Sequence, residues 1–400
     1  MEARAGVRVL MVIPMYPPPV LGGMERQAHE LSKAVRARGV EVLVLSGRTA
    51  AEQPDRHVFE GVPVHRLPFA RSRWLRFPRT GLALLAAMWR ERRQFDVVHA
   101  HNLSWYGALA VLFAKLLRKP VLAKLPTAPE WAFPKGSPRL LIFNRCDAIA
   151  LLSQEAVDAF RGHGFPESRI FKITNGVSMQ QFSVPPSGAQ PSDAALQVLF
   201  VGRLDPDKGL LDLLAVWPNV VARARQQLRL VICGEGPQEA ELRAAVRAGG
   251  LEQSVELKGR VNDVARELRA AQIFVLPSYV EGNSNAVLEA MAAGLPVLST
   301  RVGGTPLLVG PAGAEWLVEP KDRPGLEEHL LRLVNDPVLR ERAGKAMRAR
   351  IEAHMTIEAV AERYCRAYEA LARGRRDDVG AASSPVFSQA TRETARTGSR

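Results

Sequence analysis

Short apolar segments alternate with amphipathic ones through the second half of the chain, and this alternation limits the fold more than any other feature. The apolar segments have the length of strands and few polar residues, which is typical of parallel strands covered by helices on both faces. They fall at residues 197–201, 228–233, 255–258, 273–277 and 296–300. Amphipathic segments follow the first four of them, at 209–225, 237–248, 261–271 and 285–293. The alternation predicts a doubly wound parallel α/β sheet.

The first half repeats the pattern with its own elements. Strands are predicted at residues 7–13, 40–46, 62–67, 96–101, 120–124, 148–153 and 170–175, and helices at 25–38 and 81–92. A segment rich in Pro, Gly and Ser at 184–193 separates the two halves and is typical of a linker. A chain of 400 residues is long enough for two such domains, each with its own core.

These patterns divide the chain along its length. We expect a first domain over residues 1–183, a linker over 184–194 and a second domain over 195–355. A helix over 356–373 is expected to pack back on the first domain. The tail at 374–400 is rich in Ser, Thr, Arg and Ala and has little to bury, so it is predicted to be disordered.

Composition narrows the class of protein. The hydrophobic content of 47% and the charged content of 24% are those of a water-soluble globular chain. No apolar run reaches the roughly 20 residues that a membrane-spanning helix needs, and the run at 9–13 is too short for a signal peptide. Cys146, Cys233 and Cys365 are odd in number and far apart, which favours neither disulfides nor a zinc site. The sequence therefore predicts a cytoplasmic protein.

Positive charge is concentrated in one part of the first domain. The formal net charge is +13, and residues 66–124 hold twelve Lys or Arg against two acids. Phe69, Trp74, Phe77 and Trp89 are interleaved with these cations. Such a mixture suits peripheral contact with the anionic inner face of a membrane, and a solvated basic surface explains it equally well. No nucleic-acid-binding module is recognised, so a nucleic-acid partner is not expected.

Two carboxylates bracket the turn between the predicted strand at 273–277 and the helix that follows it. Glu281 precedes the turn and Glu289 lies on the helix, with seven residues between them. A strand, a polar turn and a helix form a ligand site in open α/β sheets, because amides at the helix N-terminus favour negative charge. This segment is therefore predicted to bind an anionic ligand such as a phosphate.

Two further strand ends in the second domain carry candidate ligand groups. Gly202 and Arg203 follow the strand at 197–201, and Lys208 comes five residues after Arg203. The planar guanidinium matches phosphate oxygens and the ammonium adds a point charge, so together they could hold a diphosphate. Two unrelated surface cations are the alternative. Gly234 lies at the end of the next strand, where it either lines a pocket with its backbone or forms a plain turn.

The candidates in the first domain are a glycine pair and a histidine. Gly22 and Gly23 lie between the strand at 7–13 and a helix, without a Gly-x-Gly-x-x-Gly pattern. They would let backbone amides approach a phosphate or sugar, or would merely relax a tight turn. His99 and His101 are two residues apart on one strand and so share a face. His101 is nearer the carboxyl edge of the sheet, where ligands bind, and is the favoured candidate.

A series of motifs follows one order along the chain. They are Gly-Gly-Met-Glu at 22–25, Val-Val-His-Ala-His at 97–101, Asn-Gly-Val at 175–177, Gly-Arg-Leu at 202–204 with Lys-Gly at 208–209, Gly-Glu-Gly-Pro at 234–237, the block at 281–289, Gly-Leu-Pro-Val at 294–297 and Gly-Gly at 303–304. With these motifs, over about residues 7–371, the chain resembles the retaining glycosyltransferases of glycosyltransferase family 4. The resemblance implies the GT-B arrangement, in which two Rossmann-like, doubly wound parallel-sheet α/β domains face each other across a cleft.

The resemblance also implies how each candidate would bind a nucleotide-diphosphate sugar. Glu289 would bind the ribose hydroxyls, and Glu281 would face the donor sugar. Arg203 and Lys208, beside Gly202, would stabilise the diphosphate as negative charge grows on it. The amides of the turn would contact the phosphates or the sugar, and other main-chain groups would line the base. The turn amides are those of Asn283, Ser284, Asn285 and Ala286. The main-chain groups at the base are those of Arg260 and Val261, and Gly234 is the last residue of the donor site.

On the acceptor side, Gly22 and Gly23 would face the acceptor or a phosphate, and His101 would contact the sugar near its 6-hydroxyl. The implied reaction moves a hexose from a UDP- or GDP-sugar to a hydroxyl of a glycan or of a lipid-linked envelope precursor. Because Arg203 and Lys208 would replace a divalent cation, neither a metal nor a cofactor is implied. Transfer would occur on the front face of the sugar. The two glutamates would therefore differ from the acid and nucleophile pair of a glycoside hydrolase.

Two other classes of protein remain open at this stage. A catalytically idle relative could bind a nucleotide sugar as a subunit of a membrane-associated assembly. An epimerase or a glycosyl phosphorylase could use the same pair of domains, since fold does not determine function. Hydrolysis of the donor would separate an enzyme from an idle subunit, and release of sugar phosphate would mark a phosphorylase.

Overall fold

The computed structural model describes residues 6–18, 22–50, 52–68, 73–102, 104–125, 138–182 and 195–387, except for the side chains of 73–78. The predicted linker at 184–194 lies outside the described residues. So do Phe69 and residues 388–400 of the predicted tail, as well as the side chains of Trp74 and Phe77.

The chain forms two compact units. The first unit consists of residues 1–176 and 357–400, and the second unit consists of residues 177–356. The first unit ends before the domain boundary that we predicted after residue 183. Val177 and Phe182 are buried in the hydrophobic core of the second unit, and the Val177 amide donates to the Met355 carbonyl oxygen at 3.0 Å. These contacts attach residues 177–182 to the second core.

The first unit is built on a mainly parallel sheet. In the described residues, its strands are β1 (Arg8–Val12), β2 (Glu41–Gly47), β3 (Arg56–Phe59), β4 (Val62–Leu67), β5 (Val97–Ala100), β6 (Val121–Leu125), β7 (Ala148–Leu151) and β8 (Ile170–Lys172). Their order across the sheet is β3-β4-β2-β1-β5-β6-β7-β8, and only the pair of β3 and β4 is antiparallel. Helices α1 (Gly23–Arg36), α2 (Arg73–Glu91), α3 (Trp105–Leu116), α4 (Pro138–Phe143) and α5 (Gln154–Gly162) accompany these strands.

The second unit is a smaller parallel sheet with its own helices. In the described residues, the strands are β9 (Leu196–Val201), β10 (Leu228–Cys233), β11 (Val255–Gly259), β12 (Ile273–Leu276), β13 (Val297–Thr300) and β14 (Leu317–Val318), in the order β11-β10-β9-β12-β13-β14. The helices are α6 (Leu210–Arg223), α7 (Glu239–Ala248), α8 (Val264–Ala270), α9 (Asn285–Ala292), α10 (Thr305–Gly313), α11 (Arg323–Asn335) and α12 (Pro337–His354). The prediction of two Rossmann-like α/β folds is confirmed.

The last helix returns to the first unit. This helix, α13 (Ile357–Ala372), packs against α1 and buries Tyr364 and Tyr368 in the first core. A 3-10 helix over Arg376–Ala382 follows it.

The predicted disorder of the tail is wrong for residues 374–387. Val386 and Phe387 are buried, and the Ser384 amide donates to the Lys172 carbonyl oxygen at 2.7 Å. The Ser383 hydroxyl oxygen accepts from the Lys172 amide at 2.9 Å. Because Lys172 belongs to the edge strand β8, these contacts satisfy backbone groups that would otherwise be unpaired at that edge. The composition of the tail did not reveal these contacts with β8.

Candidate active site

The block at 281–289 lies where β12 leads into α9. The Ser284 side chain caps the helix, since its hydroxyl oxygen accepts from the Val287 amide at 3.4 Å. Glu281 lies in the loop before this cap, and Glu289 lies in the second turn of α9, where it is buried. The N-terminus of α9 therefore lies at the carboxyl end of β12, the edge of the sheet at which α/β folds bind ligands.

Glu281 contacts Lys208, which sequence reasoning had placed in a different turn. The Lys208 Nζ atom lies 2.6 Å from Glu281 Oε1, and the Ser278 hydroxyl donates to the same oxygen at 2.7 Å. β9 and β12 are paired in the sheet, so the loops that follow them are neighbours. The structure thus brings together a carboxylate and an ammonium at the N-terminal side of α9.

Arg203 occupies a different environment from Lys208. Its side chain is 71% exposed, and its Nε atom lies 3.1 Å from Asp205 Oδ2. It is not part of the contact between Lys208 and Glu281. Such an exposed ion pair contributes little stability. The guanidinium can therefore leave Asp205 for an anionic ligand at small energetic cost.

Tyr279 and Asp212 hold the Lys208 turn against the Glu281 loop. The Tyr279 amide donates to the Asp207 carbonyl oxygen at 2.7 Å, and the Tyr279 hydroxyl donates to Asp212 Oδ2 at 2.5 Å. Arg323 Nε donates to the other oxygen of Asp212 at 2.7 Å. Burial, together with the hydrogen bond to Asp212, raises the pKa of Tyr279 to about 12, so the phenol remains a donor at neutral pH. Sequence reasoning missed all three side chains.

Glycines allow two close backbone approaches beside these loops. Gly303 has a φ of +52°, and a Cβ atom there would lie 1.8 Å from the Glu281 carbonyl oxygen. Gly234 has a φ of +152°, and a Cβ atom there would lie 1.8 Å from the Gly202 carbonyl oxygen. No other residue fits either position without moving the neighbouring chain. These contacts fix the Glu281 loop and the Gly202 turn in place.

The remaining donor candidates lie at neighbouring strand ends. Arg260 is exposed and Val261 is half-buried, in the loop between β11 and α8. Asn283, Asn285 and Ala286 are half-buried around the start of α9. In the described part of the chain, no group of three His, Cys, Asp or Glu side chains is arranged to hold a metal ion.

His99 and His101 differ in their hydrogen bonding. His99 Nδ1 lies 2.6 Å from the Tyr368 hydroxyl, and its ring stacks on Tyr364 with the centroids 5.5 Å apart. His101 is buried, and its Nδ1 atom has no hydrogen-bond partner among the described residues. Burial, aided by the nearby charge of Lys124, holds the pKa of His101 well below its usual value. His99 Nε2 is likewise buried without a partner among the described residues, so the choice of His101 over His99 stays a prediction.

Lys124 is a buried cation that sequence reasoning had counted with the basic residues of the surface. Its Nζ atom donates to Asn175 Oδ1 at 2.8 Å, and burial lowers its pKa to about 7. Arg66 is buried as well, and donates to the carbonyl oxygens of Pro17 and Pro18 at 2.8 and 3.1 Å. Neither cation belongs to an exposed basic face.

Gly22 and Gly23 lie at the exposed start of α1. Gly22 is the N-cap residue, with a φ of −168°, which is extended backbone that any residue adopts. The side chain of Gln27, one turn further along α1, donates to the Gly176 carbonyl oxygen at 2.8 Å. The conformation therefore does not require glycine at position 22, and a Cβ atom there would lie 3.0 Å from Glu25 Oε2.

Two family models match this chain. Residues 195–336 match the model described as glycosyl transferases group 1, and residues 22–176 match the glycosyl transferase 4-like domain. An α-mannosyltransferase from Xanthomonas oryzae, named GDP-mannose:cellobiosyl-diphosphopolyprenol alpha-mannosyltransferase, is 30% identical over 317 residues, covering 73% of this chain and 78% of the relative. The chain belongs to the group 1 glycosyltransferases of family 4.

Two further proteins match over greater lengths. A glycogen synthase from Mycobacterium tuberculosis is 28% identical over 408 residues, covering 92% of this chain and 96% of the relative. Among solved structures, sucrose-phosphate synthase from Thermosynechococcus elongatus superposes with a TM-score of 0.76 at 23% identity, covering 92% of this chain and all of that one. The second likeness concerns the fold alone. The relatives differ in the substrates that their names state, so family membership leaves the substrates of this glycosyltransferase open.

Proposed function

We propose that this glycosyltransferase moves a hexose, with retention of anomeric configuration, from a nucleotide-diphosphate sugar to an acceptor hydroxyl. The observation that carries the proposal is the 2.6 Å contact between Lys208 and Glu281 beside the N-terminus of α9. One cation and one carboxylate held side by side can bind the phosphate end and the sugar end of the same donor. Glu289, which is buried in the second turn of α9, supplies a third polar group for the ribose.

The donor would be held by charge at its centre and by hydrogen bonds at its ends. Lys208, Arg203 and the amides of α9 favour the diphosphate, and their effect grows as negative charge develops on the leaving group. Glu289 would accept from the ribose hydroxyls. Main-chain groups at Arg260 and Val261 would meet the base, for which we expect uracil or guanine. These cations serve the role that a divalent metal has in other transferases, so no metal is included in the proposal.

Glu281 is suited to binding sugar hydroxyls rather than to attacking the anomeric carbon. Its Oε1 atom already accepts from Lys208 and Ser278, and these donors stabilise the negative charge of the carboxylate. A carboxylate stabilised in this way is a weak nucleophile. We therefore infer direct front-face transfer through an oxocarbenium-like state, in which a departing phosphate oxygen takes the proton of the acceptor hydroxyl.

The acceptor proposed here is a glycan or lipid-linked precursor bound by the first unit. His101 has a ring nitrogen without a hydrogen-bond partner among the described residues, and Gly22 and Gly23 are exposed at the start of α1. The name of the Xanthomonas oryzae relative includes a diphosphopolyprenol acceptor, which supports the lipid-linked class. Such an acceptor resides in a membrane, so we include peripheral membrane contact in the proposal.

Slow hydrolysis of the donor tests this function without knowledge of the acceptor. UDP-, GDP- and ADP-sugars are first ranked by thermal shift, since a ligand at a hundred times its Kd stabilises a fold by about 2.7 kcal/mol. Proton NMR of the best donor should then show free sugar appearing first as the anomer present in the donor. First appearance of the opposite anomer contradicts retention. Binding without turnover indicates the idle subunit, and sugar phosphate formed from inorganic phosphate indicates a phosphorylase.

A further inference from the structure

Exposed apolar side chains are concentrated on three helices of the first unit. Of the eleven large apolar residues that are exposed in the described part of the chain, six lie on α2, α3 and α4. Their exposures range from 37% to 68%. These six residues, here called the outer apolar patch, are Leu82, Trp89, Trp105, Leu112, Leu116 and Leu141.

The patch follows from the helical period on helices that adjoin one another. On α2, Leu82 and Trp89 are seven residues apart, and on α3 the spacing from Trp105 to Leu112 is the same, so each pair shares one face. α2 packs on α3, and α3 packs on α4. The Arg139 guanidinium of α4 lies 5.7 Å from the Trp105 ring centroid of α3. The outward faces of the three helices therefore form one surface.

Among the described residues of these helices and the turns after them, the exposed charges are cations. The exposed cations on these helices and the turns that follow them are Arg79, Arg90, Arg93, Arg118 and Arg145. Within the described residues of 79–119 and 138–146, the acids are Glu91, which is buried, and Asp96, which pairs with Arg8 at 2.7 Å. The Arg92 guanidinium also lies over the Trp89 ring at 4.4 Å. Arginine and tryptophan are the residues that place charge and ring at a headgroup layer.

We propose that the outer apolar patch binds the surface of an anionic lipid bilayer, with the leucines inserted and the arginines at the lipid phosphates. The charges of the patch and of the bilayer are complementary, and apolar side chains beside cations are what interfacial binding requires. In the part of the chain that the structure describes, no helix is long and apolar enough to cross a bilayer. The protein would therefore lie on the membrane. This inference rests on the proposed function in one respect only, namely that a lipid-linked acceptor gives the protein a reason to bind the membrane.

A second copy of the chain fits the patch less well. A two-fold contact would place the same surface of both copies face to face, so the arginines of one copy would meet those of the other. Like charges in contact oppose association, whereas an anionic surface neutralises them. Self-association is therefore an alternative result of the experiment below.

Vesicle flotation of the full chain tests the proposal. The probe is a vesicle of phosphatidylcholine with or without phosphatidylglycerol, and no donor or acceptor is added. The patch variant carries Leu82→Glu and Leu116→Glu. The control carries Val58→Glu and Val338→Glu, which add the same charge at apolar positions that are 66% and 75% exposed elsewhere. We expect the patch variant to lose about tenfold or more of its partition onto anionic vesicles relative to the control.

A second variant separates charge from insertion. Arg79→Gln with Arg93→Gln should weaken binding to anionic vesicles by roughly fivefold or more, with little change on neutral vesicles. Equal partition of the patch variant and the control overturns the proposal. So does a wild-type dimer, seen by light scattering, that the patch variant dissociates. Circular dichroism shows whether each variant folds. Because binding is measured without substrate, failure here leaves the donor chemistry untouched, and failure of donor hydrolysis leaves the vesicle result untouched.

Discussion

Replacing Lys208 with alanine is expected to lower donor turnover by about 10²–10³ while the protein remains folded. The ammonium is held 2.6 Å from Glu281, beside the place where the diphosphate would lie. Charge on the diphosphate increases as the glycosidic bond breaks, so a fixed cation stabilises the transition state more than the bound donor. The loss should therefore appear mainly in kcat. Hydrolysis of the best donor, measured by coupled detection of the released nucleotide, gives kcat and KM.

Two further substitutions make this result specific. Arg229 lies near the start of β10, at the amino ends of the strands and away from the carboxyl ends that carry the candidate site. Its guanidinium pairs with Glu256 at 2.9 Å. Arg229→Ala removes an exposed cation from the same unit and should leave turnover unchanged. Arg203→Ala should reduce turnover less than Lys208→Ala, because the Arg203 side chain is 71% exposed and solvent screens its charge. A wild-type kcat for Lys208→Ala would refute the diphosphate role.

Gly303→Ala is expected to destabilise the second unit by about 3 kcal/mol or more and to abolish turnover. Left-handed backbone costs a residue with a Cβ atom about 1–2 kcal/mol. The remainder comes from contact, because the new Cβ would lie 1.8 Å from the Glu281 carbonyl oxygen. Relief of that contact must move the Glu281 loop, and with it the carboxylate that Lys208 holds. Urea denaturation gives the loss of stability, and donor hydrolysis gives the loss of function.

Gly250 supplies the matched control for this prediction. Its φ of +62° is close to the +52° of Gly303, and a Cβ atom there would have nothing within 4 Å. Gly250→Ala should therefore show only the backbone part of the loss, with normal turnover. If Gly303→Ala and Gly250→Ala lowered the free energy of unfolding equally, the contact with the Glu281 carbonyl oxygen would contribute nothing to the loss of stability.

Elements with strong local patterns were predictable from sequence. The continuous apolar runs gave most of the parallel strands, and the placement of Glu281 in a loop and Glu289 on a helix followed from the strand, turn and helix pattern. The period of two along β5 also placed His99 and His101 on one face. The four-residue strand β3 was missed, since its half-exposed residues show no apolar run. The start of the second unit was misplaced because residues 177–182 are buried by contacts that the local sequence does not encode.

Contacts between residues far apart in the chain were not predictable. Asp212 meets Tyr279 and Arg323 across 67 and 111 residues, and no local spacing indicates either pair. The bond between Lys124 and Asn175 spans 51 residues, so a buried lysine looked like a surface one. In the same way, a basic stretch suggested membrane contact without showing which side chains face outward. The structure adds Leu112, Leu116 and Leu141 to that surface and removes Arg66 and Lys124 from it.

The most direct test of the donor site is a calorimetric titration of UDP and GDP into the wild-type protein and the Glu289→Ala variant. Glu289 is the residue assigned to the ribose, and hydrogen bonds to a charged group contribute about 1.5–3 kcal/mol, or roughly 10- to 100-fold in Kd. Glu327→Ala, on α11 where Glu327 pairs with Arg223 at 2.9 Å, serves as the control. We predict that Glu289→Ala weakens the preferred nucleotide by at least about tenfold and that the control binds it like the wild type. Equal affinity of all three proteins would contradict the placement of the nucleotide at α9.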